Sequence, residues 1–301
     1  MNVFVTGASG WVGSVVVKEL LDAGHQVAGL VRSEDGATKL AAMGGRVVRG
    51  TLDDLPTLTR AAEAADAVIH TAFNHDFSKF AQNAQQDRRA IRALANGLRG
   101  TGRRLIVTSG AVLVRPGQLA TEDMPQEDLS HPRRSEVEAR AVEELGVRVS
   151  AVRLAPTVHG FGDQGFIPIL IDTARRTGVS AYVGDGSNRW PAVHRLDAGR
   201  LYRLILEAGD TQFAYHGVAE EGIALKEIAE IIGRRLGLPV QSRGAEHFGW
   251  FAPIAAGDFP TSNARTREAL QWMPSQPGLL ADLDSPAYFR TLTTPAERAG
   301  I

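Results

Sequence analysis

The stretch Gly7-Ala8-Ser9-Gly10-Trp11-Val12-Gly13 decides the fold that we predict for this chain. It closes a strand-like run, residues 2–6, and opens a helix-like run, residues 12–23. A glycine-rich turn at such a junction lets the backbone approach a pyrophosphate closely, and the helix N-terminus offers that group unpaired N–H donors. The spacing is G-x-x-G-x-x-G rather than G-x-G-x-x-G, so the flanking elements carry the interpretation. We interpret the turn as a dinucleotide cradle; the alternative is a tight turn only.

Short β-type runs alternate with helical runs from Met1 to about Ser109, which is typical of a parallel sheet wrapped by helices. Beyond residue 155 the pattern loosens, and short strands near Ala181 and Ala214 are expected to extend the sheet edge. We predict an α/β fold, a Rossmann-type doubly wound parallel sheet with a small C-terminal substrate lobe. Residues 1–155 are assigned to the dinucleotide-binding Rossmann domain and residues 156–301 to a substrate-binding lobe interleaved with the same fold.

Hydrophobic periodicity and stop signals place the individual elements. Strands are expected at residues 26–31, 46–49, 67–70, 105–109 and 149–154. Helices are expected at residues 55–65, 87–98, 133–145, 166–176, 197–207 and 225–236.

The composition excludes several classes of protein. The net charge of −1 is spread over interspersed residues, so no nucleic-acid or anionic-membrane surface is expected. The chain has no cysteine, which rules out disulfides, thiolate metal sites and a cysteine nucleophile, and we expect no metal site. The sequence starts in a strand pattern and has no apolar run of membrane-spanning length. We expect a cytoplasmic, soluble protein.

Five stretches carry a resemblance to a known family: the GASGWVG turn and residues 68–72, 107–109, 152–160 and 193–197. In order along the chain they resemble the short-chain dehydrogenase/reductase superfamily in its extended and atypical branches, often labelled NAD-dependent epimerase/dehydratase-like. The resemblance implies a Rossmann sheet that binds NAD(P) at its switch point, and hydride transfer at the nicotinamide C4.

The residues after the second strand bear on the choice between NAD and NADP. An acid there binds the ribose 2′-OH, whereas a basic residue accommodates a 2′-phosphate. This chain has Arg32 and Ser33, and an arginine can contact phosphate through two hydrogen bonds. We therefore expect NADP; the alternative is that Arg32 is only solvated. By resemblance, Asp53 is the candidate for the adenine amino group, and the segment from Pro156 lines the nicotinamide. The expected cofactor-binding residues are Gly7, Ser9, Gly10, Trp11, Val12, Gly13, Arg32, Ser33, Asp53, Thr71, Ala72, Phe73, Pro156 and Val158.

The superfamily's usual proton donor is absent from this chain. The resemblance implies Tyr-x-x-x-Lys on the helix before the sixth strand, but none of the four tyrosines has a lysine four residues on. Alignment on this helix puts Pro132 at the Tyr position and Glu136 at the Lys position. Reduction of a carbonyl still builds an alkoxide that must be protonated and stabilised.

Substitutes for the pair are sought at the carboxyl ends of the strands, where the crevice of such a sheet lies. Thr108 and Ser109 either hydrogen-bond a carbonyl oxygen or only cap the strand. His75 suits proton exchange near neutral pH, with His131 as a similar candidate, although loop histidines are often structural. Asp87 falls where the family often has an active-site Asn; the alternative is an acid that favours a helix N-terminus. Ser109 with His75 is our first choice of donor, and a water ordered by Asp87 is the second.

Three functions remain open. The first is an NADP-dependent oxidoreductase that reduces a small carbonyl or imine compound by hydride transfer. The second is a sugar-nucleotide epimerase or dehydratase, although those reactions depend on the missing tyrosine base. The third is a non-catalytic NADP-binding regulator. The expected partners are a small-molecule substrate and, as an open alternative, a second copy of the chain in a homodimer.

Overall fold

The structure, a computed structural model, describes residues 1–126, 130–209 and 212–290. Its strands are β1 (Asn2–Thr6), β2 (Gln26–Val31), β3 (Arg46–Arg49), β4 (Ala67–His70), β5 (Arg104–Gly110), β6 (Arg148–Leu154), β7 (Thr157–His159), β8 (Ser180–Val183), β9 (Arg189–His194), β10 (Ala214–Gly217), β11 (Glu220–Ala224) and β12 (Val240–Arg243). Its α-helices are α1 (Gly13–Asp22), α2 (Glu34–Ala42), α3 (Leu55–Glu63), α4 (Phe80–Gly97), α5 (Ser135–Ala141), α6 (Phe166–Thr177), α7 (Arg195–Glu207), α8 (Leu225–Leu236), α9 (Ala252–Ala255), α10 (Ala264–Leu270), α11 (Leu279–Leu283) and α12 (Pro286–Arg290).

Seven of these strands form one parallel sheet in the order β10-β6-β5-β4-β1-β2-β3. One face is covered by α1 and α7, which contribute Val16, Leu20 and Leu201 to its apolar core. The other face is covered by α3, α4 and α5, with Leu58 and Leu94 in a second core. Burial on both faces explains the apolar runs of the central strands. The sheet confirms the predicted doubly wound Rossmann-type fold.

Helix α8 shows how closely hydrophobic periodicity and a stop signal can predict the bounds of a helix. Its apolar stripe, Leu225, Ile228 and Ile232, is buried in the core of the second lobe. Gly237 ends the helix in the left-handed conformation, with φ of 67°, which glycine adopts without steric cost. The helix therefore has the bounds expected from the sequence.

Three element predictions were wrong in detail. The strand near Ala181 does not extend the large sheet, because β8 pairs with β12 in a separate two-stranded sheet. The strand near Ala214 does, as β10 beside β6. The helix expected at residues 87–98 begins at Phe80, so Asp87 lies in its middle and is not an acid at a helix N-terminus. The helix expected at 133–145 is α5 followed by a 3₁₀ turn at Val142–Leu145.

In the second half of the chain, β10 belongs to the large sheet and α7 packs against it, and most of the other elements form a second lobe. Residues 291–301 of the assigned lobe lie outside the described residues. A three-stranded sheet, β11-β9-β7, and the β12-β8 pair surround a third apolar core with α6 and α8. Within the described ranges, no helix is long and apolar enough to cross a bilayer.

A buried carboxyl ties the loop after β7 to α12. Asp163 accepts a hydrogen bond from the Gly165 N–H at 2.6 Å and a short one from the Tyr288 hydroxyl. Burial raises the pKa of Asp163 to about 6, although the hydrogen bonds from Tyr288 and Gly165 act in the opposite direction. The folded protein therefore binds a proton at Asp163 more tightly than the unfolded chain does.

This proton makes stability depend on pH in a defined direction. The stabilisation from protonated Asp163 is fully present below its ordinary pKa of 3.8 and is lost as the pH rises through about 6. Asp163→Asn is therefore expected to match the wild type near pH 4 and to exceed its unfolding free energy at pH 8. Urea unfolding at several pH values measures this, with exposed Asp35→Asn as the control. Parallel pH profiles for wild type and Asp163→Asn would contradict the expectation.

Candidate cofactor and active site

The strand order reverses at β1, which lies between β4 and β2. Chain connections leave β1 on one side toward β2 and β3, and return on the other toward β4, β5 and β6. Thr6 at the end of β1 therefore faces His70 at the end of β4 in the pairing register. Ligands of open α/β sheets bind in the crevice at such a switch point. The glycine turn that follows Thr6 lies at this crevice.

The three glycines of the turn have different surroundings. Gly7 has φ of +69°, and a Cβ there would lie 2.9 Å from the Ala72 nitrogen. A Cβ on Gly13 would lie 2.0 Å from the Gly7 carbonyl oxygen, so α1 packs directly against the turn. A Cβ on Gly10 would meet only the Gly7 carbonyl oxygen, at 3.1 Å, and otherwise point into open space. Thr71 supports the turn by donating its hydroxyl to the Thr6 carbonyl at 2.8 Å.

The turn and α1 fit a pyrophosphate. Val12 caps α1 without a side-chain hydrogen bond, and the first turn of the helix carries no acid. The amino end of the helix thus keeps N–H groups and partial positive charge for an anion. Because Gly10 alone among the three glycines leaves open space where its Cβ would be, the phosphates can approach there.

Two cofactor candidates, Arg32 and Ser33, lie at the end of β2, and Arg49 lies at the end of the neighbouring strand β3. Arg32 follows β2, is exposed, and forms no hydrogen bond or ion pair within the part of the chain that the structure describes. Ser33 caps α2 by accepting from the Gly36 N–H at 3.1 Å, which leaves its own hydroxyl proton free to donate. Arg49 donates to the Ser33 carbonyl at 2.9 Å and pairs with Glu34. Two arginines and a serine hydroxyl therefore surround this position, and its nearest acid is already paired.

The remaining cofactor candidates differ in exposure, since Asp53 is exposed and the others described here are partly buried. Asp53 bonds Arg89 at 3.2 Å and also Gln86, both on α4, so its oxygens are already engaged. The Trp11 indole donates to the Val158 carbonyl at 2.7 Å, joining the glycine turn to β7. Pro156 and Val158 are half-buried beside it, and Ala72 and Phe73 follow β4 with similar exposure.

A chain of buried hydrogen bonds crosses the ends of β1 and β4. Thr6 Oγ1 is 2.7 Å from His70 Nδ1, and His70 Nε2 is 3.0 Å from Asp87 Oδ1. The Ser135 hydroxyl donates to Asp87 Oδ2 at 2.6 Å and accepts from Arg133 Nε at 3.2 Å. Each of these groups except Arg133 is nearly inaccessible to solvent. Asp87 thus acts on the crevice only through Ser135 and Arg133.

Thr108 and Ser109 point to opposite faces of β5. The Thr108 hydroxyl lies 2.7 Å from the Tyr202 hydroxyl and donates to the His70 carbonyl at 2.8 Å. Ser109 is 2% exposed, and its hydroxyl has no hydrogen-bond partner among the described residues. A substrate in the open crevice does not reach an enclosed hydroxyl, so the geometry does not favour our first choice of donor.

The two candidate histidines lie among aromatic rings at the mouth of the crevice. His75 keeps an exposed edge, yet burial of the rest of the ring, followed by the charge on Arg133, lowers its pKa to about 4. It is therefore a neutral ring at pH 7. His131 packs edge-on against Phe80, and its Nδ1 lies 3.2 Å from the Arg133 backbone nitrogen. Neither ring forms a hydrogen bond with the Ser109 hydroxyl.

The position that aligns with the family's lysine is occupied by a buried ion pair. Glu136 accepts from Arg153 Nε at 2.7 Å, and the two side chains are 6% and 1% exposed. Arg153 also donates to the Met124 carbonyl at 2.7 Å and contacts His216 Nε2 at 3.1 Å. Burial lowers the pKa of His216 to about 4, so this neutral ring can accept from Arg153. Glu136 therefore cannot take the place of a lysine in the crevice.

Sequence reasoning missed Arg133, the side chain that stands beside the absent tyrosine. Its Nη2 donates to the Thr108 carbonyl at 3.1 Å, and its guanidinium lies 4.1 Å from the centre of the Phe73 ring. Burial lowers its pKa and the Asp87 charge opposes that shift, but a guanidinium stays charged. The signal was its position directly after Pro132, which aligns with the family's tyrosine.

Comparisons with known proteins agree with this geometry. Residues 3–216 match the NAD dependent epimerase/dehydratase family, and the chain belongs to that family. An uncharacterized protein of Schizosaccharomyces pombe is 50% identical over 96% of this chain and 100% of its own length. The 2-alkyl-3-oxoalkanoate reductase of Stenotrophomonas maltophilia is 27% identical over 79% of this chain and 77% of its own. The solved dTDP-glucose 4,6-dehydratase of Streptomyces venezuelae with NAD superposes with a TM-score of 0.75 at 21% identity, covering 96% of this chain and 97% of that one.

The family assignment confirms the resemblance that the five sequence stretches indicated. The chain is an enzyme of the extended short-chain dehydrogenase/reductase type, NAD(P)-dependent and without the Tyr-x-x-x-Lys motif. The cofactor class, a nicotinamide dinucleotide, follows from the same assignment.

Proposed function

We propose that this enzyme uses NADP(H) to reduce a small carbonyl or imine compound. The observation that carries the proposal is the buried ion pair between Glu136 and Arg153, because Glu136 occupies the position of the lysine that would lower the pKa of a tyrosine base and its charge is already neutralised by Arg153. Epimerases and dehydratases of the family lean on that base, whereas reduction needs only stabilisation of charge on oxygen and a proton from water. The relative named 2-alkyl-3-oxoalkanoate reductase also supports a reductase function.

In this proposal, different residues of the crevice bind the cofactor and the substrate. A bound reduced nicotinamide supplies a hydride. The turn from Gly7 to Gly13 would hold the pyrophosphate, and Pro156 and Val158 would line the nicotinamide. His75, neutral at pH 7, hydrogen-bonds a water or the substrate and does not itself carry the proton. An imine substrate relaxes the demand further, since a protonated imine brings its own proton.

A screen for NADPH oxidation tests the proposal. Ketones, aldehydes and imines form one arm, and sugar nucleotides followed by product chromatography form the other. Oxidation of NADPH by a compound of the first arm supports the proposal. Conversion of a sugar nucleotide without net NADPH oxidation would instead make the enzyme an epimerase or dehydratase. Tight NADPH binding with no turnover in either arm would favour a regulator.

Preference for NADP(H) is expected to depend on Arg32. Arg32→Ala removes a charge-assisted contact with the 2′-phosphate, and hydrogen bonds to charged groups contribute about 1.5–3 kcal/mol. NADPH affinity should therefore fall about 10- to 100-fold, while NADH affinity stays constant. Fluorescence titration measures both. Arg46→Ala, which removes an exposed arginine from the opposite end of β3, is the matched control. Equal affinities of the wild type for the two cofactors would refute the preference.

A further inference from the structure

Arg133 is a positioned cation without a carboxylate of its own. Its Nε and Nη2 are held by Ser135 and the Thr108 carbonyl, and it reaches Asp87 only through Ser135. Its Nη1 makes no hydrogen bond within the part of the chain that the structure describes. The chain of hydrogen bonds behind it is buried and fully paired, which fixes the guanidinium in one orientation. An electron-rich oxygen at Nη1 would complete its hydrogen bonding.

A row of aromatic side chains, here called the aromatic band, leads away from Arg133. It consists of Phe73, Phe77, Phe80, Phe166 and Trp250. Ring centres along it are 5.8 Å apart for Phe73 and Phe80, 6.2 Å for Phe80 and Phe77, and 5.0 Å for Phe77 and Trp250. Phe166 is 6.3 Å from Phe77. The band thus connects the loop after β4 to the second lobe.

Two members of the band are more exposed than packing requires. Phe77 is 36% exposed and Trp250 is 61% exposed. Aromatic residues make up only 6% of the chain, so two exposed ones in contact are unusual for it. Their rings stack on each other at an interplanar angle of 29°, and the parts of both rings outside this contact leave apolar surface open to solvent. Exposed aromatic faces beside a crevice mark a binding surface. The charge at one end of the band and the rings along it define the chemistry of an occupant.

We propose that Arg133 and the aromatic band form the substrate site, and that its occupant is an aromatic carbonyl compound. The ring of the substrate lies on the band and its carbonyl oxygen faces Arg133. This inference rests on the proposed reductase function. The substrate carbon gains a hydride from the reduced nicotinamide, the carbonyl π pair moves to oxygen, and a solvent proton completes the hydroxyl group. Arg133 stabilises the negative charge on oxygen before that proton arrives.

Benzoate is a probe of this site that does not react. Its carboxylate stands for the negatively charged oxygen and its ring for the aromatic part of the substrate. Calorimetry and quenching of tryptophan fluorescence measure its binding to the full chain, with acetate as the ligand that lacks the ring. Arg133→Gln is compared with Arg134→Gln, its partly exposed neighbour in sequence, and Phe77→Ala with Phe161→Ala, which is 65% exposed and outside the band.

We expect benzoate to bind and acetate not to. Arg133→Gln should weaken benzoate about 10- to 100-fold, and Phe77→Ala about 2- to 10-fold. Arg134→Gln and Phe161→Ala should leave it unchanged. Should Arg133→Gln fail to fold, Arg133→Lys decides, because it keeps the charge but loses the planar fork and should bind benzoate more weakly than the wild type.

The result that overturns the proposal is equal affinity of benzoate for wild type and the Arg133 variant that folds. Equal binding of acetate and benzoate, or no benzoate binding, would also overturn it. These outcomes are separate from failure of the proposed function, which appears as absent NADPH oxidation or sugar-nucleotide conversion and does not involve benzoate.

Discussion

Gly10→Val is expected to abolish NADPH binding while the protein stays folded. Apart from its two chain neighbours, a Cβ at residue 10 would approach only the Gly7 carbonyl oxygen, at 3.1 Å, so the fold can accept a side chain there after a small shift. The branched side chain would then occupy the space that the pyrophosphate needs. Fluorescence titration with NADPH should show no saturation, and the thermal unfolding midpoint should lie close to that of the wild type.

Gly13→Ala provides the contrast. Its Cβ would lie 2.0 Å from the Gly7 carbonyl oxygen, a contact that forces α1 away from the turn. We expect this smaller substitution to lower stability strongly, whereas the larger one at residue 10 does not. NADPH affinity that survives Gly10→Val would mean that the turn is structural only.

Glu136→Lys is expected to destabilise the protein by about 3–5 kcal/mol, because breaking a buried pair leaves uncompensated charge. The substitution restores the lysine of the family's motif in the sequence, but it places a second cation against Arg153, which is 1% exposed. Urea unfolding measures the loss. Exposed Glu143→Lys, the same change a few residues along, should stay within about 0.5 kcal/mol of the wild type.

A charge swap separates this explanation from simple overcrowding. Adding Arg153→Glu to Glu136→Lys restores opposite charges, but it also removes the donor to the Met124 carbonyl. We therefore expect partial recovery only. A wild-type unfolding free energy for Glu136→Lys alone would show that the ion pair contributes nothing.

The glycine turn and the strand periodicity were enough to predict the fold, because residues near in sequence determine both. The start of α4 was not predictable in that way. Its first turns carry Gln82, Asn83 and Gln85 rather than an apolar stripe, and the preceding 3₁₀ turn is fixed by Asp76, which accepts from the Ser78 N–H at 3.1 Å. The strand that pairs with β8 was also not predictable from local sequence, because β12 comes much later in the chain.

The residues of the candidate site also fall into those that a local motif predicts and those that only the packed structure brings together. Arg32 and Gly10 could be assigned because the motif itself places them. The role of Arg133 depends on Ser135 and Asp87, which meet only after α4 and α5 have packed together. Ser109 is the opposite case. Its position at a strand end predicted a catalytic role, but side chains alternate between the two faces of a strand, and the Ser109 hydroxyl points into the protein interior.

The last strand of the large sheet has a consequence for synthesis on the ribosome. Strand β10 pairs with β6, yet residues 155–213 separate the two in sequence. At roughly 5–20 residues per second, the outer edge of β6 waits roughly 3–12 s for its partner after β6 itself has been made. During that interval its unpaired N–H and C=O groups form an open sheet edge, to which another nascent chain can add. The seven-stranded sheet is therefore completed only after translation has passed residue 217, well inside the second lobe.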